Sequence, residues 1–319
     1  MATDKYQKVT TTTTQTITAA DGTKTTSSTV TSVYKALEAL AVTDRNTEGT
    51  GTAESLSSLF LSHRSIRSYT DQEVPPELIR TAIEESIAGA SSSGNLNSFS
   101  LIVTRDPESK KRLRELHEDQ DMVTECSVVI TVCADWFRVR EWLKSQNAKD
   151  NFDNFFGYHV AVVDAVIVAQ NLALALESRG LGICYLGTTL NNMETISEHL
   201  QLPDTVIPIT TLTVGYPAEN PSKRDRLPTK AYIHEEVYRK PDAEELSEVY
   251  ASREKKGWER YNAHPELKKI IDENGIKNLA EFYTSDFKYP ESMTLRDGRM
   301  IFDFLEKKNF TAMDSPKEE

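Results

Sequence analysis

The stretch His63-Arg64-Ser65-Ile66-Arg67-Ser68-Tyr69 decides how this chain is read. Its two arginines stand three residues apart, so on a helical or irregular turn both can point the same way. Guanidinium groups grip phosphate through parallel hydrogen bonds, and the Ser65 hydroxyl can add a donor. Set among His63 and small hydroxyl residues, the pair suits a phosphate carried by an electron-rich ring. Taken alone, the same residues also describe a solvated basic turn, so the rest of the chain has to decide.

Working outward, the bulk properties narrow the choice. The 319 residues suffice for one large domain or two small ones. The formal net charge is −12, which argues against a general nucleic-acid binder but leaves room for a local positive pocket around an anionic cofactor. The cysteines Cys126, Cys133 and Cys184 show no CxxC or metal-ligand spacing and read as buried free thiols, which fits a reducing cytoplasm. Residues 1–30 are Thr-rich rather than apolar, unlike a signal peptide. The most apolar stretch, 160–175, carries Asp164, Gln170 and Asn171 and reads as too short and too polar to span a bilayer.

Three regions differ in composition. Residues 1–53 form a Thr-rich, low-complexity arm that reads as a disordered tail or a marginal hairpin around Asp21-Gly22. Residues 54–240 carry the periodic segments. Helices are predicted over 54–62, 75–88 and 108–118, and strands over 99–104, 128–134, 181–186 and 207–214. The longest periodic segment, 158–179, places Val162, Ala165, Val166, Ala169, Leu172, Ala173 and Leu176 at helical spacing before Gly180, as in a central helix that could also serve a subunit interface. No GxGxxG follows a strand, which excludes a dinucleotide-binding Rossmann domain. Residues 241–319 read as a charged helical extension packing on the same domain, with Glu254, Lys255, Lys256, Glu259 and Arg260 mostly on a solvated face.

Three further segments complement 63–67. The loop Ser91-Ser92-Ser93 offers hydroxyls and amides to an anion or a polar ring edge, or is simply a linker. Gly182-Ile183-Cys184-Tyr185-Leu186-Gly187-Thr188 ends a strand with a glycine, where backbone can approach a flat ring or where the strand simply stops. Lys223-Arg224-Asp225-Arg226-Leu227-Pro228 is a second basic cluster, or a surface charge run.

In this order the four segments resemble the flavin-dependent nitroreductase family, most of all its oxygen-insensitive, NADPH-preferring group, over roughly 59–238. Cys133-Ala134-Asp135, Ala169-Gln170-Asn171, Glu177-Ser178-Arg179-Gly180-Leu181-Gly182, Asn191-Asn192 and the run from Gly215 through Pro221 add to the likeness. The resemblance implies an α+β fold: a mixed, largely antiparallel sheet flanked by helices, with an extended C-terminal segment at a dimer interface. It also implies FMN held between the subunits of a homodimer, with NADPH or NADH as co-substrate, a small-molecule electron acceptor, and neither nucleic acid nor membrane as partner. The implied FMN contacts are His63, Arg64, Ser65, Arg67, Ser92, Gln120, Tyr185, Leu186, Gly187, Arg224 and Arg226. Arg64 and Arg226 would hold the phosphate, Arg67 would tune the ring from its pyrimidine edge, and the Gly187 amide would lie near N5.

The implied activity is two-electron, ping-pong reduction of nitroaromatics, quinones or similar acceptors, with the cofactor carrying the chemistry and no protein catalytic triad. Flavin reductase, azoreductase or dehalogenase activity on the same scaffold, or a non-catalytic flavin-binding protein, are the alternatives. Thr188 stands where the closest group has a second glycine, and Leu190 where it has an arginine.

Overall fold

A computed structural model of the protein describes residues 12–18, 24–30 and 53–310. The chain divides into two compact units, Met1–Ser58 and Leu59–Glu319. In the first, β1 (Thr12–Thr18) and β2 (Lys24–Val30) pair antiparallel, from Thr12 opposite Val30 to Thr18 opposite Lys24. The remainder of the Thr-rich arm lies outside the described residues, save the first residue of α1 (Ala53–Ser62), whose helix crosses the unit boundary.

The second unit is built around one four-stranded sheet. Helix α2 (Pro76–Ala88) precedes β3 (Phe99–Thr104), and α3 (Pro107–Leu116) and α4 (Met122–Glu125) precede β4 (Val128–Asp135). After α5 (Phe137–Ser145) and α6 (Phe155–Glu177) come β5 (Gly182–Leu186), α7 (Met193–His199) and β6 (Val206–Gly215). The strand order is β3-β4-β6-β5, and every pairing is antiparallel.

All eight residues of β4 are buried, as expected for a strand covered on both faces, and its side chains alternate between two cores. Val128, Ile130 and Val132 pack with Ile79 and Ala82 of α2 and with Ala165, Val168, Leu172 and Leu176 of α6. On the opposite face, Val129 joins Cys184, Leu186, Leu113, Met122 and Val123. Pro208 can donate no ladder hydrogen bond, yet it sits inside β6. The register shifts between Val132 and Cys133, opposite Pro208, and such a bulge is where a sheet admits proline. The three cysteines are free and buried, as their spacing predicts.

Helix α6 is 23 residues long, more than the stretch 160–175, and by length and composition could cross a membrane. Nine of its residues are buried, which accounts for that composition as core. After β6 the chain runs without regular structure, apart from one 3₁₀ turn, to α8 (Ala243–Asn262), whose start is fixed by a reciprocal capping box between Asp242 and Glu245. Helices α9 (Pro265–Glu273), α10 (Leu279–Tyr283) and α11 (Glu291–Lys307) follow. The sequence reading placed α11 within its charged helical extension over 241–319 without giving its bounds. Its Phe304 and Leu305 are buried in a third cluster with Trp136 and Val139, and Lys307 pairs with Glu194 at 2.6 Å.

The segment 63–69 lies across the ends of β5 and β6. Two glycines make room for it: a Cβ on Gly182 would stand 2.7 Å from Ile66, and one on Gly215 would stand 2.8 Å from Tyr69. Because the Ile66 N–H is bonded to the Ile183 carbonyl at 2.9 Å, the side chain cannot simply retreat. Gly182→Ala is therefore expected to cost about 1–3 kcal/mol through overpacking, read as a lower urea midpoint with an unchanged slope. An unchanged midpoint would mean the segment is not seated this tightly.

Candidate functional site

Ile66 and Tyr69 are buried, and their burial turns the intervening residues of 63–69 toward the surface. The Tyr69 hydroxyl bonds the Ile66 carbonyl at 2.8 Å and Thr213 Oγ1 at 2.7 Å, tying the segment to β6. Burial raises the pKa of this phenol well above its ordinary value. From the other side, Thr70 N–H donates to the Tyr216 carbonyl and Ala218 N–H to the Ser68 carbonyl. Glu219 Oε1 accepts from the Arg67 and Ser68 amides at 2.5 and 3.2 Å. Arg64 donates to the Ser62 carbonyl at 3.0 Å and to the side chain of Asn220. The run from Gly215 through Pro221, matched at sequence level only as a word, is thus the clamp that shapes 63–69.

A cavity of about 650 Å³ opens where these segments meet, a size typical of small-ligand sites. Six of the residues predicted from sequence line it: His63, Arg64, Ser65, Arg67, Arg224 and Arg226. The wall also includes Arg253, Lys256 and Arg260, three, then four, residues apart on one face of α8, which the sequence reading had left mostly solvated. That spacing was the available signal. The lining holds eight lysine and arginine side chains against one carboxylate, Asp225, which Lys256 binds at 2.5 Å. The guanidinium of Arg67 forms no hydrogen bond or ion pair with the described residues. A chain of net charge −12 concentrates positive charge here.

The other predicted residues lie elsewhere in the same unit. Tyr185 and Leu186 close β5 and Gly187 follows it; Leu186 is buried, Gly187 is exposed, and the Tyr185 hydroxyl donates to the Ala169 carbonyl at 2.9 Å. Gln120 belongs with them, since its Nε2 donates to Thr188 Oγ1 at 3.2 Å and to the His117 carbonyl at 2.9 Å. His117 Nδ1 lies 2.9 Å from the same Thr188 oxygen. Ser92 stands apart. Its hydroxyl donates to Asp164 Oδ2 at 2.7 Å, and Asp164 also accepts from Ser93 N and from the Ser98 amide and hydroxyl. Fully buried in α6, Asp164 orders the serine loop. The sequence reading missed Asp164 and Glu177 as organisers; a carboxylate within an otherwise apolar helix was the signal in each case. Among the described residues no cluster could hold a metal ion.

Comparison with known proteins follows this geometry. The model of the Nitroreductase family matches residues 61–120 and 117–216. The chain is 39% identical over 181 residues to a protein of Bacillus subtilis named FMN reductase (NADPH), covering 56% of this chain and 72% of that relative. Among solved structures, an oxidoreductase from Bacteroides fragilis superposes with a TM-score of 0.72 at 36% identity, covering 80% of this chain and all of the other. A nitroreductase from B. subtilis gives 0.69 at 30% identity, over 80% of this chain and 98% of the other.

His117 has a pH signature. Burial lowers its pKa from 6.5 to about 4. Because the folded pKa is depressed, the unfolded chain takes up the proton first. Stability is therefore lost as pH falls below about 6.5, with the full loss, about 3 kcal/mol, reached below about pH 4. His117→Asn should remove that share of the acid destabilisation, read from denaturant midpoints between pH 7 and 4. An unchanged acid limb would mean His117 is not buried as a neutral ring.

Proposed function

Given that the chain belongs to the nitroreductase family, we propose that the cavity takes the phosphate of FMN between Arg64, Arg224 and Arg226, and that a reduced nicotinamide nucleotide enters from the α8 side. The chain is an FMN-dependent NAD(P)H oxidoreductase, and its acceptors are electron-poor small molecules such as nitroaromatics and quinones. One observation carries the reading: 63–67 and 224–226, distant in sequence, converge on one cation-rich cavity. The donor set fits a phosphate ester, with fork-shaped guanidiniums to chelate its oxygens and the Ser65 hydroxyl as a further donor. When bound, FMN supplies the two-electron redox chemistry.

The protein contributes orientation and charge. Arg67, uncommitted to any described partner, is the cation assigned to the ring's pyrimidine edge, where it would favour added negative charge. Tyr185, Leu186, Gly187 and Gln120 are assigned to the ring face and edge. The cavity's positive charge exceeds what one phosphate needs. Arg253, Lys256 and Arg260 are therefore assigned to the phosphates of the nicotinamide nucleotide, which favours NADPH, with its additional phosphate, over NADH. Reduction of free flavin as acceptor is the second reading, favoured by the relative named FMN reductase (NADPH).

A second copy of the chain completes the proposed site. Helix α6 buries one face and leaves Phe155, Phe156, Val163 and Val166 exposed, an apolar surface suited to a partner. Ser92 lines no part of the cavity within its own chain, which suits a contact made across a dimer interface. The buried free thiols suit a reducing compartment, the cytoplasm.

Anaerobic addition of NADPH to the FMN-loaded protein should bleach the flavin absorption band. A band left unchanged by both NADPH and NADH would overturn the reductase reading. Arg253→Ala combined with Arg260→Ala should raise KM for NADPH by about tenfold or more, leaving kcat and the KM for NADH little changed. Equal losses with the two nucleotides would remove the assignment of α8 to the additional phosphate.

A further inference from the structure

Helix α6 carries two carboxylates, Asp164 and Glu177, and they are satisfied very differently. Asp164 accepts four hydrogen bonds, two from Ser92 and Ser93 of the serine loop and two from Ser98. Glu177 has one side-chain partner: its Oε1 lies 2.7 Å from Nδ1 of His63, while Oε2 is buried without any hydrogen-bond partner among the described residues. The Glu177 side chain is 10% exposed and that of His63 32%, and His63 lines the cavity.

A carboxylate removed from water with one oxygen unpaired is costly unless its partner bears a full opposite charge. Burial pushes the Glu177 pKa up and the adjacent imidazole pulls it down. The charged groups facing His63 are otherwise cations: Arg64 and Arg67 flank it in the same segment, and Arg224 and Arg226 line the same cavity from the loop after β6. Tyr185 of β5, which also faces Glu177, is neutral, and Arg179 is engaged by Glu85 at 2.6 Å. Among the described residues Glu177 is thus the one anion in contact with the imidazole, and it touches only Nδ1. The remaining ring nitrogen, Nε2, has no partner among the described residues.

We propose that Glu177 is a positioning residue: by holding Nδ1–H of His63 it keeps the ring as an imidazolium in fixed orientation, so that Nε2–H is a donor to the FMN phosphate. This rests on the FMN reading above and extends it to a residue that makes no contact with the cofactor. The pairing explains why a carboxylate is buried at the end of an apolar helix, beside a cavity that otherwise repels a protonated histidine.

The test uses the full-length protein with labelled histidine ring nitrogens, as wild type, Glu177→Gln, Glu177→Asp, His63→Ala and the double variant Glu177→Gln/His63→Ala. In the wild type both His63 ring nitrogens should carry protons at pH 7, and in Glu177→Gln only one. Glu177→Gln should weaken FMN binding by about tenfold or more, the scale of a charge-assisted hydrogen bond. Glu177→Asp, which keeps the charge, should recover part of that loss. Riboflavin, which lacks the phosphate, should bind both proteins equally, and Glu177→Gln should cost nothing further once His63 is alanine. A neutral His63 in the wild type, an equal loss for riboflavin, or an undiminished loss in the His63→Ala background would each overturn the inference. A wild-type chain that took up no FMN would overturn the cofactor assignment instead, with the His63 ring signals still deciding the pairing.

Discussion

The site depends on a close approach. Ile66 and Tyr69 lie against the ends of β5 and β6 at positions where a Cβ on Gly182 or Gly215 would collide with them. With those two side chains turned inward, and the Ile66 N–H and the Tyr69 hydroxyl bonded to the sheet, the neighbouring residues of 63–67 are left to line the cavity. Glu219 completes the arrangement by taking two backbone N–H groups of the segment, so that an otherwise irregular stretch has its polar groups satisfied. The sheet supplies rigidity through β4, which is buried on both faces.

Charge is organised on the same principle of fixed neighbours. The chain is acidic overall, yet one cavity gathers eight cations from three places: the segment 63–67, the loop after β6, and α8. Each is held by a local device, such as the tether from Arg64 to Ser62 and Asn220, the bridge from Lys256 to Asp225, or the capping box that starts α8. Such a cluster is self-repelling, and a polyanionic ligand relieves that repulsion. The two carboxylates of α6 act at a distance from it. One orders the serine loop, and the other grips the histidine at the cavity wall.

How much of this was legible in the sequence follows from the range of each interaction. Strand β4 and helix α6 were readable because their signals are local: a continuous apolar run, and apolar residues recurring at helical spacing. The convergence of 63–67 with 224–226 came from the order of motifs, which resemblance preserves and periodicity does not. Helix α11 was legible only as part of the helical extension over 241–319, and where it docks was not, because its Phe304 and Leu305 find their partners in Trp136 and Val139, far back in the chain. The α8 face was taken as solvated because charge at helical spacing looks the same whether it faces water or a cavity. Ser92 was predicted as a ligand contact; its hydroxyl also bonds Asp164, a pairing whose one signal in the sequence was a carboxylate within an apolar helix. Pro208 did not spoil the prediction of β6, because the bulge opposite it absorbs the missing donor.

The central claim is that the cation-rich cavity recognises a phosphate ester on a flavin ring. The most direct test is a titration of the cofactor-free protein with FMN and with riboflavin, which differ only in that phosphate. FMN should bind at least about a hundredfold more tightly, with an affinity that falls steeply as salt is raised. Equal affinities for the two, unaffected by salt, would contradict the account, because the arginines converging on the cavity would then have no part in holding the cofactor.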